Sequence, residues 1–338
     1  MAWRLAMMAA LYAAGLAVLL GRGSQAEPPP LRIVFALDLP TLPLVVAKHD
    51  HLIEKQVEAR NLAAVTVQWL TPNGGNPLEQ LTNGQADVVA VLDLADFVEL
   101  WDERSGTPQE IRGLTALAQM PYLLLSRNPA VATLRDIGPK DRIAVPAVKT
   151  SMPAVMLQMA AAQEWGIGQY ARLDPQTVAR ADDTADDAMQ AGNGDIDLHF
   201  VRLPFADDER ANSAIHRVMD SFDVAGPHSV AALVTTARFR DNNPALCSAI
   251  AAAVAEADDY ISHNRGAVAE IFNDADKTLE IPVEVLSDML SDPDLAYKPS
   301  PVGLLHLVAF LHQTGRVKHN PDTWEQLFFP EIYKLGGS

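Results

Sequence analysis

The chain has 338 residues, a formal net charge of −17 at neutral pH and a hydrophobic content of 49%. Such a length and apolar content can bury one large core or two medium cores without disulfide or metal staples. The strong negative charge repels phosphate backbones and anionic lipids, so we expect binding neither to nucleic acid nor to a membrane surface.

The first 26 residues have the three-part layout of a secretory signal. Arg4 supplies a positive charge, an apolar run covers residues 5–20, and a segment of polar and small residues ends at Ala26. Crossing a membrane takes roughly 20 apolar residues, so cleavage before Glu27 is favoured over an uncleaved anchor. Because no cysteine lies near that point, we expect a periplasmic protein without a lipid anchor.

The first part of the mature chain alternates strands and helices. Short β-rich apolar runs predict strands at 31–36, 64–70, 86–91, 111–118 and 122–126. Apolar residues at helical spacing predict helices at 44–60, 76–83 and 94–101. Strands that alternate with helices indicate an α/β fold with mostly parallel sheets and helices on both faces.

A second α/β series follows the turn-rich residues 128–142. Its predicted strands are 143–146, 171–173, 196–200 and 215–220, and its predicted helices are 152–165 and 184–191. A strand at 230–235 then precedes a helical C-terminal third. We therefore expect two lobes: residues 27–126 begin the first, residues 127–228 form the second, and residues 229–338 return to the first.

This order predicts two crossing segments between the lobes and a ligand crevice beside them. In open α/β sheets, ligands bind outside the carboxyl ends of the strands, where loops and helix N-termini converge. The segments 120–122 and 226–228 flank the predicted crossings and are weaker candidates for ligand contact.

Several segments resemble one family of transport proteins. The matching segments are Pro43–Lys48 running into Leu52–Lys55, Leu81–Val91, Arg142–Pro146, Ala191–Asp197 and Trp324–Ile332. They are similar to the nitrate/sulfonate/taurine class of ABC-transporter periplasmic binding proteins, a group that also includes thiamine-precursor binders. The resemblance implies a type II binding fold that closes on a small anion, such as a sulfonate, a taurine-like compound or nitrate. It also implies delivery to an inner-membrane ABC permease, driven by a separate ATPase.

Two departures from the family pattern bear on the ligand. Thiamine-precursor relatives that act as single-turnover enzymes carry a cysteine-rich motif, whereas Cys247 is the only cysteine of this chain. The Trp-rich segment that often follows the strand at 195–200 is replaced here by Leu198–Arg202. A pyrimidine-type ligand therefore stays an alternative to a small anion.

Two loops of the first lobe hold candidate ligand residues. Asp38, Leu39 and Thr41 follow the first strand, where backbone amides and the Thr41 hydroxyl can face the crevice. Asp93 and Leu94 lie between a buried strand and a helix. Each aspartate has a structural alternative, since Asp38 suits a turn or a helix cap and Asp93 suits an N-cap. If they face the crevice, they favour a ligand with a donor group, such as an amino-sulfonate.

The strongest candidates, Lys149, Thr150 and Ser151, precede the long helix of the second lobe. Hydroxyls and free amides at a helix N-terminus, with the positive end of the helix dipole behind them, form an anion site. The alternative is plain capping by Thr150 or Ser151.

His199 and Arg202, at the end of the strand 196–200, complete the candidate set. The planar guanidinium of Arg202 suits a carboxylate or a sulfonate. The alternatives are a surface ion pair of Arg202 with Asp207 or Asp208, and a core imidazole for His199.

Catalytic and metal-binding patterns have little support. His49 and His51 are two residues apart and do not share a helical face, and the acidic run 182–187 suits a solvated helix start. The sequence contains no nucleophile elbow, phosphate loop or Cys-x-x-Cys motif. We expect a monomeric binding protein that is not an enzyme and has no cofactor or bound metal. An exported enzyme or a sensor on the same scaffold stays an alternative.

Overall fold

Six strands form the first of two sheets in the computed structural model, which describes residues 29–74, 76–275 and 281–338. The strands are β1 (Leu31–Val34), β2 (Val67–Leu70), β3 (Val88–Val91), β4 (Ile111–Gln119), β10 (Ser229–Thr236) and β11 (Ala296–Tyr297). Their order across the sheet is β11-β4-β10-β3-β1-β2. Strand β3, Val-Val-Ala-Val, is buried throughout, as a continuous apolar run predicts for a strand covered on both faces.

Five strands form the second sheet. They are β5 (Leu123–Ser126), β6 (Ile143–Val145), β7 (Thr177–Ala179), β8 (Leu198–Val201) and β9 (His216–Asp220). Their order is β7-β6-β8-β5-β9. The predicted signal segment, residues 1–26, lies outside the described residues.

The α/β fold class is confirmed, but both sheets are mixed rather than mostly parallel. Strand β1 pairs in parallel with β2 and β3, and β6 pairs in parallel with β7 and β8. Strand β10 is antiparallel to β3 and β4, and β5 is antiparallel to β8 and β9. Both β5 and β10 enter their sheet directly from the other sheet, so no βαβ crossover fixes their direction.

The strand at 123–126 belongs to the second sheet, although the sequence analysis placed it at the end of the first lobe. The chain passes from β4 to β5 through residues 120–122 and returns from β9 to β10 through residues 221–228. Residues 122–126 are apolar enough to be buried in either sheet, and local periodicity carries no information about which sheet a strand joins.

Helices cover both sheets. Those before β10 are α1 (Leu42–His49), α2 (Leu52–Ala59), α3 (Pro77–Thr82), α4 (Leu94–Arg104), α5 (Met152–Trp165), α6 (Asp182–Ala191), α7 (Phe205–Ala211) and α8 (Ser221–Ala225). Those after it are α9 (Ala237–Asn242), α10 (Pro244–His263), α11 (Arg265–Ala275), α12 (Val283–Met289) and α13 (Leu304–Gln313).

Two local predictions differ from the structure. The single helix expected at 44–60 is divided into α1 and α2 because His51 adopts a left-handed conformation, with φ 53°, which histidine tolerates better than most residues. The strand expected at 171–173 is a turn, and β7 forms at Thr177–Ala179 instead.

The C-terminal segment closes the first sheet by packing on β4. The amide of Gly113 donates to the carbonyl oxygen of Leu327 at 2.9 Å, and the amide of Phe329 donates to that of Gly113 at 2.8 Å. The ring of Phe328 occupies the space that a side chain at Gly113 would take. A glycine is therefore required in the middle of β4.

Replacing Gly113 with alanine should lower the free energy of unfolding by about 1–3 kcal/mol, the usual cost of overpacking a core. The new methyl group would push the Phe328 ring and its backbone bridge off β4. Urea unfolding followed by circular dichroism measures the change. Gly266→Ala is the control, because Gly266 lies in α11 with open space around it, and it should leave stability equal or slightly higher. Equal stability of both variants would contradict this packing.

Candidate functional site

The loops of the two sheets meet in a zone that we call the junction, defined by Asp38, Asp93, Tyr122, Met152 and Arg202. Tyr122 lies in the first crossing segment and is buried. Its ring stacks on His228 of the second crossing segment, with centroids 6.2 Å apart and an interplanar angle of 15°. The amide of Tyr122 donates to the hydroxyl of Ser221 at 2.8 Å. The two crossings are thus packed on each other beside the junction.

Arg202 crosses the junction and forms a two-pronged ion pair with Asp38. Its Nη2 lies 2.6 Å from Oδ2 of Asp38, and its Nη1 lies 3.0 Å from Oδ1. Arg202 follows β8 of the second sheet, and Asp38 follows β1 of the first. Burial lowers the pKa of Arg202, but the Asp38 carboxylate outweighs it and the pKa ends above its usual value. The guanidinium is therefore charged and held in a fork suited to a carboxylate or sulfonate.

Asp93 makes the second contact across the junction, at the N-terminus of α5. Its Oδ1 accepts the amides of Ala95 and Asp96 at 3.0 and 3.3 Å and so caps α4. Its Oδ2 accepts the amide of Met152, the first residue of α5, at 2.7 Å. Burial, with the nearby charge of Asp96, raises the pKa of Asp93 to about 7 against the pull of these hydrogen bonds. A carboxylate thus occupies the helix N-terminus that the sequence indicated as an anion site.

The three residues before α5 differ in exposure and in hydrogen bonding. They are Lys149, Thr150 and Ser151. Lys149 and Thr150 are exposed, whereas Ser151 is buried and its hydroxyl donates to the carbonyl oxygen of Ala147 at 2.7 Å. The carbonyl oxygen of Lys149 accepts from Arg316 at 3.1 Å. Ser151 is the N-cap residue of α5, but it is Asp93 from the other lobe that receives the Met152 amide.

Three further candidate residues are buried beneath the loops that carry Asp38 and Asp93. They are Leu39, Thr41 and Leu94. The hydroxyl of Thr41 donates to the carbonyl oxygen of Ala36 at 2.7 Å and accepts the amide of Asp38 at 3.1 Å. The carbonyl oxygen of Leu39 accepts from the hydroxyl of Tyr297 at 3.1 Å. Thr41 and Tyr297 thus fix the loop that presents Asp38, and the side chains of Leu39, Thr41 and Leu94 lie in the core.

The structure removes His199 from the candidate ligand set. His199 is fully buried, its Nδ1 lies 2.5 Å from Oε1 of Glu209, and its Nε2 lies 3.4 Å from Oδ1 of Asp182. Burial lowers the pKa of His199, but the two carboxylates outweigh it and raise the pKa to about 9. Both ring nitrogens are therefore committed to α6 and α7 within the second lobe.

Arg202 instead reaches the junction because it lies one residue beyond β8. Its partner is Asp38, 164 residues away, and not the neighbouring Asp207 or Asp208 that the sequence offered as alternatives. The ion pair is a contact between lobes rather than a local surface bridge.

Sequence reasoning missed Tyr297 and Arg316. Tyr297 supports the Asp38 loop, and Arg316 joins the lobes, because its Nε lies 2.6 Å from Oε1 of Glu99 on α4 while its Nη1 donates to Lys149. Both residues lie more than 150 positions from at least one partner, at separations of 258 and 167 residues. Arg316 follows the end of α13, and no local pattern singles it out.

Two wider features of the described residues bear on function. Within residues 29–74, 76–275 and 281–338, none of the helices is long and apolar enough to cross a membrane. The same residues contain no cluster of three or more histidine, cysteine, aspartate or glutamate side chains that could hold a metal ion.

Known structures with a similar fold include three periplasmic binding proteins. The periplasmic aliphatic sulphonate binding protein SsuA from Escherichia coli is 19% identical, with a TM-score of 0.65 over 90% of this chain and 92% of that chain. The alkanesulfonate-binding protein SsuA from Xanthomonas axonopodis pv. citri, bound to MOPS, is 16% identical, with a TM-score of 0.65 over 93% and 100%. The periplasmic nitrate-binding protein NrtA from Synechocystis PCC 6803 is 14% identical, with a TM-score of 0.66 over 91% and 88%.

These likenesses extend over nearly the whole of each chain and show the fold of the periplasmic binding proteins. The neighbours are binding proteins, and among them are the sulfonate and nitrate binders that the sequence segments resemble. No protein-family model and no curated protein sequence matches the chain significantly.

The charged state of His199 predicts a pH-dependent stability. Because its pKa is raised from 6.5 to about 9, its stabilising effect is complete below pH 6.5 and is lost as the pH rises through 9. His199→Gln should therefore lower the free energy of unfolding by about 3 kcal/mol at pH 6 and by clearly less at pH 10. Urea titrations at both pH values measure this. His49→Gln, at an exposed site beside Asp50, should show a small effect with no such difference.

Proposed function

We propose that the chain is a periplasmic solute-binding component of an ABC importer, which captures a small anion between its lobes and passes it unchanged to a permease. The observation that carries this proposal is the position of Arg202. It is a buried, charged guanidinium of the second lobe that faces the first lobe. A fork of this kind suits a sulfonate, a carboxylate or a nitrate.

The start of α5 is the second anion-binding element of the proposed site. The amide of Met152 already holds one carboxylate oxygen, that of Asp93. Helix N-termini bind anions through such free amides and the helix dipole. Exposed Lys149 and Thr150 flank this point and belong to the proposed ligand set with Ser151.

Hinge motion between the lobes would admit the ligand. The two sheets are linked by residues 120–122 and 221–228, and the polar contacts between the lobes include Asp38–Arg202, Asp93–Met152 and Arg316–Lys149. Opening the lobes would break these polar contacts and the packing of Tyr170 on Phe310, while the strand pairing of both sheets would stay intact. Ligand contacts from both sides would then favour the closed form, which is the form that a permease would recognise.

Calorimetric titration of the mature chain with alkanesulfonates, taurine, nitrate, carboxylates and pyrimidines tests the proposal. At least one small anion should bind, and Arg202→Gln should weaken its binding about 100-fold or more, because it removes a charged, buried partner. Arg202→Lys keeps the charge without the fork and should weaken binding less. Arg217→Gln is the matched control, since Arg217 lies on β9 with its side chain 59% exposed, and it should bind normally.

Outcomes of this titration separate the alternatives. Tight binding of a pyrimidine with no anion response would support the thiamine-precursor alternative and contradict the anion proposal. Mass spectrometry of the bound ligand after release should show it unchanged, whereas conversion to a product would indicate an enzyme. Cells that lack the protein should lose uptake of the ligand; normal uptake despite tight binding would indicate a sensor.

A further inference from the structure

The Arg202–Asp38 ion pair limits which ligands the proposed site can accept. Its two hydrogen bonds are 2.6 and 3.0 Å long, and the two side chains are only 10% and 23% exposed. A ligand anion that takes the guanidinium fork must displace the Asp38 carboxylate from it. That carboxylate then loses its cation at a position that the closed lobes shield from water, which is a costly state for a charge.

The other charges around Arg202 make a lone anion still less favourable. Besides Asp38, the acidic side chain of Asp182 acts on the guanidinium, and Asp182 also lies 3.4 Å from the charged ring of His199. Asp93 supplies a further carboxyl group at the junction. Arg316, which reaches the start of α5 from the first lobe, is engaged with Glu99 and with the carbonyl oxygen of Lys149. A simple anion would therefore leave Asp38 without a cation, because the other basic groups, His199 and Arg316, already have acidic partners.

The geometry points to Asp38 as a specificity-determining residue that selects zwitterions over simple anions. This inference rests on the function proposed above. The anionic group of a short amino-sulfonate or amino-carboxylate would take the fork of Arg202, and its ammonium group would take Asp38. One ion pair is thereby replaced by two, so every buried charge keeps a partner of opposite sign. Uncharged donors cannot do this for Asp38.

Two ligand pairs that differ in a single group test the inference by calorimetry. Taurine is compared with 2-hydroxyethanesulfonate, and β-alanine with 3-hydroxypropanoate, at pH 7. In at least one pair, the wild-type chain should bind the ammonium member about 10- to 100-fold more tightly, the range expected for a charged hydrogen bond. Asp38→Asn should remove this preference by weakening the zwitterion. It should also tighten the hydroxyl analogue, since Arg202 is then free of its internal competitor.

Two further variants separate charge selection from a folding defect. Asp38→Glu keeps the charge and should keep the preference even where both ligands bind more weakly. Asp87→Asn is the matched control: Asp87 forms a comparable two-pronged pair with Arg32, at 2.7 and 3.1 Å, near the start of β1 rather than beyond its end. It should leave the ligand preference as in the wild type. Thermal melts of every variant establish that it is folded.

The failure of this inference differs from the failure of the proposed function. Equal binding of both members of each pair, or a preference that survives Asp38→Asn, overturns the role of Asp38 while the binding function stands. The role of Asp38 is also overturned if the chain binds nitrate or simple alkanesulfonates through Arg202 and binds no zwitterion. The binding function stands in that case too. Absence of binding for every anion and zwitterion overturns both.

Discussion

The ion pair between Arg202 and Asp38 joins the two halves of this protein at the point where a ligand is expected. A guanidinium that is shielded from water needs a partner of opposite charge. Here that partner comes from the other lobe, on a loop that Thr41 and Tyr297 hold in place. Because Asp38 belongs to the other lobe, the proposed opening of the lobes would separate the pair while Arg202 stays charged, and an external anion would then replace the internal carboxylate.

Asp93 repeats this arrangement at the start of α5. One of its oxygens caps α4 in the first lobe and the other accepts the first amide of α5 in the second. Each proposed anion-binding element of the second lobe is therefore occupied by an acidic side chain of the first. Asp38 is thus an internal counter-ion of Arg202, and Asp93 occupies a helix N-terminus in the same way.

Local sequence patterns predicted most helices and strands well. They predicted poorly which side chains pair with each other. The apolar run of β3 and the helix 152–165 were evident, and Asp38, Asp93 and Arg202 were among the candidate site residues. The partner of Arg202 was sought within six residues and lies 164 residues away. His199, three residues before Arg202, faces α6 and α7 instead. Long-range packing decides which carboxylate pairs with Arg202 and which with His199. It also decides that strand 123–126 joins the second sheet. The spacing of apolar residues along the chain contains no information about either.

The order in which strands join the two sheets also governs how the chain can fold. The second sheet is built from one uninterrupted stretch, Leu123 to Asp220, whereas the first sheet pairs β4 with a strand that ends at Tyr297 and bridges Gly113 to Phe328. Contacts of such large sequence separation form late, because loop closure is entropically costly. The first sheet is therefore complete only after Ala296–Tyr297 and Phe328 have reached β4, whereas the strands of the second sheet need no residue beyond Asp220.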